Sequence, residues 1–285
     1  AYEILRGLVG SEMCIRDSNP IVQDNIRKLE RFGYEMIAPD RGMLANGDDG
    51  DGRMPEPEVL FEYILRELAC EKDLAGKKVL VTAGATMEAI DPVRYITNHS
   101  SGKMGCAVAK AAMQRGAKVT LVAGHMEVLP PMFVDVVNVK SAADMFEAVT
   151  KLAPEQDIIV KAAAVADYTP VAVADNKIKK SDDDMKIELK RTQDILGYLG
   201  QHKRDGQVIC GFSMETQDVI KNSEKKLTNK NCDMICANSL KTAGAGFKTD
   251  TNVITLITEG GAVELPIMTK EQAAHRILDE LAKMI

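Results

Sequence analysis

Short, almost uninterrupted runs of Val, Ile, Leu and Ala alternate with amphipathic segments from residue 78 onward, and this alternation constrains the fold more than any other feature. The runs lie at 78–82, 118–123, 134–139, 157–163, 207–212 and 233–237. A strand half exposed to water shows every second residue polar. Runs without such interruptions need burial on both faces, as in a parallel sheet covered by helices. The pattern predicts an α/β, doubly wound fold: a mostly parallel, Rossmann-like sheet with helices on both faces. Residues 252–257 and 262–265, around Gly260-Gly261, predict a C-terminal β-hairpin, and 269–285 a closing helix.

Ahead of this region the chain is organised differently. Residues 1–18 show no apolar periodicity and no leader-like order of basic, apolar and small residues, so they are expected to be foreign to the fold. Residues 25–32 read as a helix, 36–38 as a short strand and 42–57 as a loop rich in Gly, Asp and Pro. Residues 58–70 read as a second helix, with Val59, Leu60, Tyr63, Ile64 and Leu68 at helical spacing. At about 150 residues per domain, 285 residues hold one large domain plus a fragment. The expected division is 1–18, 19–72 and 73–285.

Lys plus Arg number 36 and Asp plus Glu 42, a net charge of −6 that gives no general attraction to nucleic acid or anionic lipid. The longest apolar stretches, such as 158–160 and 162–166, fall far short of the roughly 20 residues of a membrane span. Neither nucleic acid nor membrane is an expected partner. Six scattered Cys without a secretory leader fit free thiols in a reducing cytoplasm.

In open α/β sheets ligands bind beyond the carboxyl ends of the strands, so the loops after the runs hold the candidate site. The first has Gly84 at its opening turn and ends in Ser100, Ser101, Gly102, Lys103, Met104 and Gly105, where a helix begins. Small and hydroxyl-bearing residues at a helix start turn backbone N–H groups and the positive dipole end toward phosphate oxygens. A nucleotide or other phosphate ester is the expected ligand. A serine cap beside a packing glycine is the plainer alternative. Walker A is excluded by Thr97 and Met104, and the dinucleotide fingerprint by the single glycine, Gly84, at the first turn.

The second loop, Ala163-Ala164-Val165-Ala166-Asp167-Tyr168, lets a flat ring approach the backbone, and Asp167 can accept from a ribose hydroxyl. It leads to Lys177, a candidate counter-charge for a triphosphate within Lys177-Ile178-Lys179-Lys180. Phe212, after the next run, can stack on a base or pack in the core. Lys226 and Lys230, on one helical face, can close over phosphates or form a solvated basic surface. His99, His125, His202 and His275 show neither metal-ligand spacing nor triad context, and no nucleophile elbow occurs. No protein metal site is expected. Lysines and amide-bearing groups without a nucleophile suit acyl or phosphoryl activation by positioning and charge stabilisation.

T-A-G-A-T-x-E-x-I-D-P-V-R-Y-I-T-N-H-S-S-G-K-M-G (82–105), A-A-V-A-D-Y (163–168), K-I-K-K (177–180), G-F (211–212) and I-C-A-N (235–238) occur in this order. Together they resemble the phosphopantothenate-cysteine ligase half of the bifunctional coenzyme A biosynthesis flavoproteins, from about residue 73 to the C-terminus. The resemblance implies a ligation in two steps. CTP activates the carboxylate of 4′-phosphopantothenate as an acyl-cytidylate with release of pyrophosphate; the amine of L-cysteine then attacks, giving the amide and CMP. The resemblance assigns Asn98 to handling the acyl-cytidylate and Lys177 to the nucleotide-dependent activation. It implies CTP contacts at Lys161, Ala162, Ala163, Asp167, Gln193, Asp194, Ile195, Leu196, Phe212, Lys226 and Lys230. Mg2+ is expected with the triphosphate, held by phosphate oxygens and water rather than by a protein cage. A homodimer formed through the ligase domain is also implied. The choice of CTP over ATP rests on the likeness alone.

N-P at 19–20 and G-x-L-A-N-G-x-x-G-x-G-R-M at 42–54 resemble the substrate-clamp loop of the partner decarboxylase, so 19–72 is expected to be a remnant of it. Asn46 stands where many members carry an active-site Cys. The flavin-binding sequence and catalytic His of that half do not occur in this chain, so neither decarboxylation nor FMN is expected of it. Two other functions remain open. An NAD(P)-dependent oxidoreductase suits the sheet pattern but not the missing fingerprint, and a non-catalytic nucleotide-binding regulatory protein is opposed by Asn98 and Lys177.

Overall fold

The computed structural model describes residues 19–44, 47, 49–180, 184–215, 219–239 and 249–285. The chain divides into two compact units, Ala1–Leu68 and Ala69–Ile285. In the first, α1 (Pro20–Arg31) starts at Asn19, whose side chain accepts from the Ile21 N–H at 2.9 Å, with Pro20 in the first turn. It begins ahead of the expected 25–32 because cap and proline, not apolar spacing, set its start. β1 (Asp40–Met43) and β2 (Asp49–Arg53) form an antiparallel hairpin. Two expectations are corrected here: 36–38 is not a strand, and 42–57 is not all loop. These strands consist largely of Asp, Gly and Arg, so no apolar alternation marks them. α2 (Pro57–Leu68) lies close to the expected 58–70. Residues 1–18 and Asn46 lie outside the described residues.

In the second unit β3 (Lys78–Ala83) leads to a short antiparallel pair, β4 (Met87–Ala89) and β5 (Tyr95–Thr97), then to α3 (Lys103–Gln114) and β6 (Lys118–Ala123). β7 (Asp135–Asn138), α4 (Ala142–Leu152), a 3₁₀ turn (Ala153–Glu155) and β8 (Ile158–Lys161) follow. A second short pair, β9 (Tyr168–Pro170) and β10 (Leu189–Arg191), precedes α5 (Ile195–Gln201) and β11 (Val208–Glu215). Then come α6 (Val219–Asn229), β12 (Met234–Ser239) and β13 (Thr251–Asn252). β14 (Ile254–Thr258), β15 (Gly261–Glu264), β16 (Met268–Thr269) and α7 (Lys270–Ala282) complete the unit.

All six apolar runs contribute strands to one eight-stranded sheet, ordered β7-β6-β3-β8-β11-β12-β14-β15. The first six are parallel. β14 and β15 are antiparallel and form the expected hairpin. From β3 the chain winds outward to β7, and from β8 it winds the opposite way to β12. The order therefore reverses between β3 and β8, and the strand ends part there.

Successive residues of each strand point to opposite faces. Val79, Val81, Leu121, Ile158 and Val160 pack with α3 and α7 in one buried cluster. Leu80, Val122, Ile159, Ile209 and Ile235 pack with α4, α5 and α6 in the other. Both faces are covered, which is why the runs carry so few polar residues. Helix α3 approaches β3 most closely at Gly105: a Cβ there would lie 2.5 Å from Ala83 Cβ and 2.9 Å from Thr82 O.

Gly105→Ala is expected to destabilise the fold by ~1–3 kcal/mol through overpacking, which urea unfolding measures; an unchanged midpoint shows that α3 yields at no cost. Ser223 tests the opposite sign. Its buried Oγ has no hydrogen-bond partner among the described residues, so Ser223→Ala is expected to stabilise by ~1 kcal/mol, and a lower midpoint contradicts this.

Candidate functional site

A cleft of about 530 Å³ opens over the carboxyl ends of β8, β11 and β12, beside the divide between β3 and β8. Its wall on the β3 side is the start of α3. Gly102 is the N-cap in the left-handed region (φ +80°), and as glycine it supplies no side-chain cap to the helix. A Cβ at Gly102 would lie 2.6 Å from Met126 Cγ, so the loop after β6 also demands glycine here. Ser100 Oγ accepts from the Gly102 N–H at 3.4 Å, and the Ser101 carbonyl accepts from the Glu127 N–H at 3.0 Å. Ser100, Ser101, Gly102, Lys103 and Met104 line the cleft. The alternative of a serine-capped helix therefore does not hold, while the packing glycine is real and lies at Gly105. A helix start with glycine as its N-cap presents the dipole's positive end to whatever occupies the cleft.

The floor is the end of β8 and the loop after it. The Ala163 N–H donates to Thr82 Oγ1 at 3.1 Å and the Ala166 N–H to Thr86 Oγ1 at 3.0 Å, joining this loop to the one after β3. Gly84 (φ +83°) accepts from the Ala164 N–H at 2.9 Å, and a Cβ there would lie 2.5 Å from the His125 carbonyl oxygen. Asn98, exposed on the rim, donates through Nδ2 to the Ala164 carbonyl at 3.2 Å. Lys161, Ala162, Ala163 and Asp167 line the cleft, as do Phe212 from β11 and Lys226 from α6. Lys226 Nζ donates to the Phe212 carbonyl at 3.2 Å.

Comparison with known proteins bears on this arrangement. The family model for the DNA/pantothenate metabolism flavoprotein C-terminal domain matches residues 74–285. The chain belongs to this family. It is similar to the "Coenzyme A biosynthesis bifunctional protein CoaBC" of Bacillus subtilis (strain 168), 47% identical over 270 residues, covering 93% of this chain and 66% of that protein. A "Cysteine/Cysteine sulfinic acid decarboxylase" from an unknown prokaryotic organism is 42% identical over 273 residues, covering 94% of this chain and 76% of that protein. The crystal structure of the C-terminal domain of a CoaBC protein matches with TM-score 0.64 and 43% identity, over 75% of this chain and 98% of that one. The chain thus spans 66% of the length of the Bacillus relative. Its second unit is the CoaBC-type domain that the motifs resembled.

Other expected residues of this family member lie apart from the cleft-lining set. Gly84 and Gly105 fix the backbone beneath it. Asp194 caps α5, accepting from the Gly197 N–H at 3.0 Å, and is ion-paired with Lys230. Ile195 and Leu196 are buried, and Leu196 Cδ2 would lie 2.8 Å from a Cβ at Gly211, beside Phe212. Gln193 is exposed ahead of α5. Lys177 is exposed next to Ile178, which is fastened on both sides: its N–H donates to Asp91 Oδ2 at 3.1 Å and its carbonyl accepts from Arg94 Nη2 at 2.8 Å. The lining residues that the sequence reading did not single out for the site are Thr97, His99, Ala164, Val165, Ser213, Met214, Asn238, Asn252 and Lys270. Asn238 stands in the I-C-A-N string that carried the resemblance; Lys270 looked like an ordinary residue at the start of the closing helix.

Lys103, Lys161, Lys226 and Lys270 line the cleft against one carboxylate, Asp167. Among the described residues no group of three His, Cys, Asp or Glu is placed to hold a metal ion. Lys161 is half-buried, and its ammonium is pushed down to about 8, first by burial and then by the Lys226 charge, with Asp194 and Asp167 pulling the other way. Burial also lowers Lys270, and Lys103 adds to the effect. The site is short of negative charge, as a polyanion receptor should be.

Without ligand, Lys161 should therefore titrate near 8. Its folded pKa lies below the unfolded 10.5, so the fold gains stability as pH rises between the two. Spectra of 13C-labelled lysine between about pH 6 and 11 are expected to show a resonance titrating near 8 that Lys161→Gln removes. A wild-type spectrum in which every lysine titrates in the ordinary range contradicts the assignment.

Proposed function

We propose that the second unit is a CTP-dependent phosphopantothenate-cysteine ligase acting in coenzyme A biosynthesis. The observation that supports this most strongly is the convergence, in one cleft, of a helix start, several lysines and the Asn98 amide. A triphosphate fits the cationic wall, and a carboxylate placed near Asn98 can attack the α-phosphorus. The attacking oxygen forms the new P–O bond as the bond to pyrophosphate breaks, leaving an acyl-cytidylate. The cysteine amine then adds to the acyl carbon, CMP departs with the C–O bonding pair, and the amine proton passes to solvent or a phosphate oxygen.

Asn98 suits the intermediate chemically. Its amide can hold the mixed anhydride by hydrogen bonding without attacking it, and its bond to the Ala164 carbonyl fixes where that amide sits. Lys177 is assigned to offset charge on the departing pyrophosphate, the alanines after β8 to admit the flat base, and Phe212 to stack on it. Mg2+ fits as an ion carried by the triphosphate, since one carboxylate in the lining is too few for a protein cage. When bound it supplies charge neutralisation to the phosphates. The further assignments are a homodimer through this unit and a cytoplasmic setting, the latter consistent with the absence, among the described residues, of any helix long and apolar enough to cross a membrane.

Pyrophosphate release that requires both phosphopantothenate and CTP is the expected signature, and release with CTP alone would refute the reading. Lys177→Gln is expected to slow that release by roughly 10²–10³-fold, as for loss of one charge-stabilising donor. Asn98→Asp should separate the halves: pyrophosphate continues to appear while amide formation falls. Equal yields of pyrophosphate and amide at the wild-type rate would remove Asn98 from the mechanism.

A further inference from the structure

The cleft has two cationic ends, and at one of them a lysine is ion-paired with an exposed carboxylate. At the α6 end, the Lys226 charge sits close enough to disfavour the Lys161 ammonium. At the α3 end, Lys103 and Lys270 face the same opening, and Lys103 Nζ is ion-paired with Asp250 at 2.6 Å. The two lysines of this second end differ in how firmly they are held.

Lys270 opens α7 and is buried, only 6% exposed, with Nζ donating to the Thr249 carbonyl. The backbone around it is pinned: the Lys270 N–H donates to the Asp250 carbonyl at 2.9 Å, and β13 pairs with β16 through Thr251 with Thr269 and Asn252 with Met268. Asn252, also buried, donates to Asn238 Oδ1 at 3.4 Å and closes the cleft on this side. Lys270 is thus a fixed charge that cannot swing into solvent. The Asp250 side chain, by contrast, is 88% exposed. An exposed carboxylate–ammonium pair contributes little and gives way readily to a stronger anion.

We propose that Lys270 is a further binding residue for the polyphosphate, and that Asp250 is an exchangeable counter-ion, which occupies Lys103 in the empty cleft and is displaced by the pyrophosphoryl end of the nucleotide. The naming of that anion rests on the ligase reading above; the anion site itself does not. The placement is favourable because the start of α3 lies beside Lys103, so helix dipole and both ammonium groups act on the same phosphate oxygens. Asp250 then has a purpose after the chemistry. By returning to Lys103 it competes with bound pyrophosphate and speeds its departure. Its own position favours this role, since Lys103 holds its carboxyl below the ordinary range and keeps it ionised and ready to compete.

Titration calorimetry of the full chain with inorganic pyrophosphate tests the idea without any turnover. Asp250→Asn is expected to bind pyrophosphate several-fold more tightly, and Lys270→Met at least tenfold more weakly. Unchanged or weaker binding by Asp250→Asn overturns the counter-ion role, and unchanged binding by a folded Lys270→Met overturns the binding role. Should Lys270→Met fail to fold, Lys270→Arg replaces it: retained binding supports a charge contact, and loss of binding with normal folding overturns it. Ligase turnover is measured in parallel. Opposite shifts in pyrophosphate affinity in the two variants, with a wild-type chain that makes no amide, uphold the anion site and sink the ligase reading. Full turnover with pyrophosphate affinity indifferent to Asp250→Asn does the reverse.

Discussion

Helix α3 can lie against β3 only because residue 105 has no side chain, and the location of the cleft follows from that contact. With the helix so close to the sheet, its first turn stands directly beside the parting of the strand ends between β3 and β8. A helix displaced by one methyl group would carry its start, and Lys103 with it, away from the floor built by Ala162 and Ala163. The neighbouring loops are fitted to this position by contacts that leave no room for side chains at Gly84 and Gly102. The glycines near this site thus divide the labour: Gly102 and Gly84 permit left-handed backbone at the edge, and Gly105 permits the packing underneath.

Charge follows from the same geometry. Four lysines border one cleft with a single lining carboxylate, and the Lys226 charge acts against Lys161 and the Lys103 charge against Lys270. Burial and that repulsion lower the Lys161 and Lys270 ammonium groups. The fold tolerates this because its stability is built elsewhere, in two apolar clusters that cover both faces of the sheet. Part of that stability is given up at the cleft, as expected where function conflicts with local consistency. A polyanion relieves the conflict, so binding and stabilisation are linked.

The sheet was legible because parallel strands covered on both sides carry few polar residues, as the runs of β3, β6, β8, β11 and β12 do, whereas β7 at the sheet edge is mostly exposed and carries Asp135 and Asn138. The α1 start and the β1–β2 hairpin were not read correctly for the complementary reason. One is set by Asn19 and Pro20, and the other is a hairpin of Asp, Gly and Arg held by backbone pairing rather than by burial. In the site, the segments after β3 and β8 supply much of the cleft lining, with Phe212 from β11, while the motif lysine Lys177 lies outside it. Asn252 and Lys270 were silent because nothing local distinguishes them. They reach the cleft through the pairing of β13 with β16, which joins segments separated in sequence by the C-terminal hairpin. Gln193, Asp194, Ile195 and Leu196 were named from the resemblance alone; here Asp194 caps α5, Ile195 and Leu196 are buried in it, and Gln193 lies exposed ahead of it.

Lys177 shows how a residue outside the cleft lining can still be tied to it. Asp91 accepts from the N–H groups of Val93, Arg94 and Ile178 and from the Arg94 side chain, and Arg94 in turn reaches the Ile178 carbonyl. Asp91 lies in the turn between β4 and β5, and Asn98 follows directly after β5. The segment bearing Lys177 is therefore pinned at its next residue to the same hairpin that delivers Asn98, so the two share an anchor although they lie 79 positions apart. With that point fixed, the lysine can sweep only an arc around it. The Arg94 guanidinium and the backbone N–H groups hold the Asp91 carboxyl well below the ordinary carboxylate range. A depressed carboxylate keeps its contribution above the unfolded value of 3.8 and loses it only as the solution becomes strongly acidic. The anchor consequently stands across the neutral range, and a change in ligand affinity around pH 8 belongs to Lys161 and not to any loosening of the arm that carries Lys177.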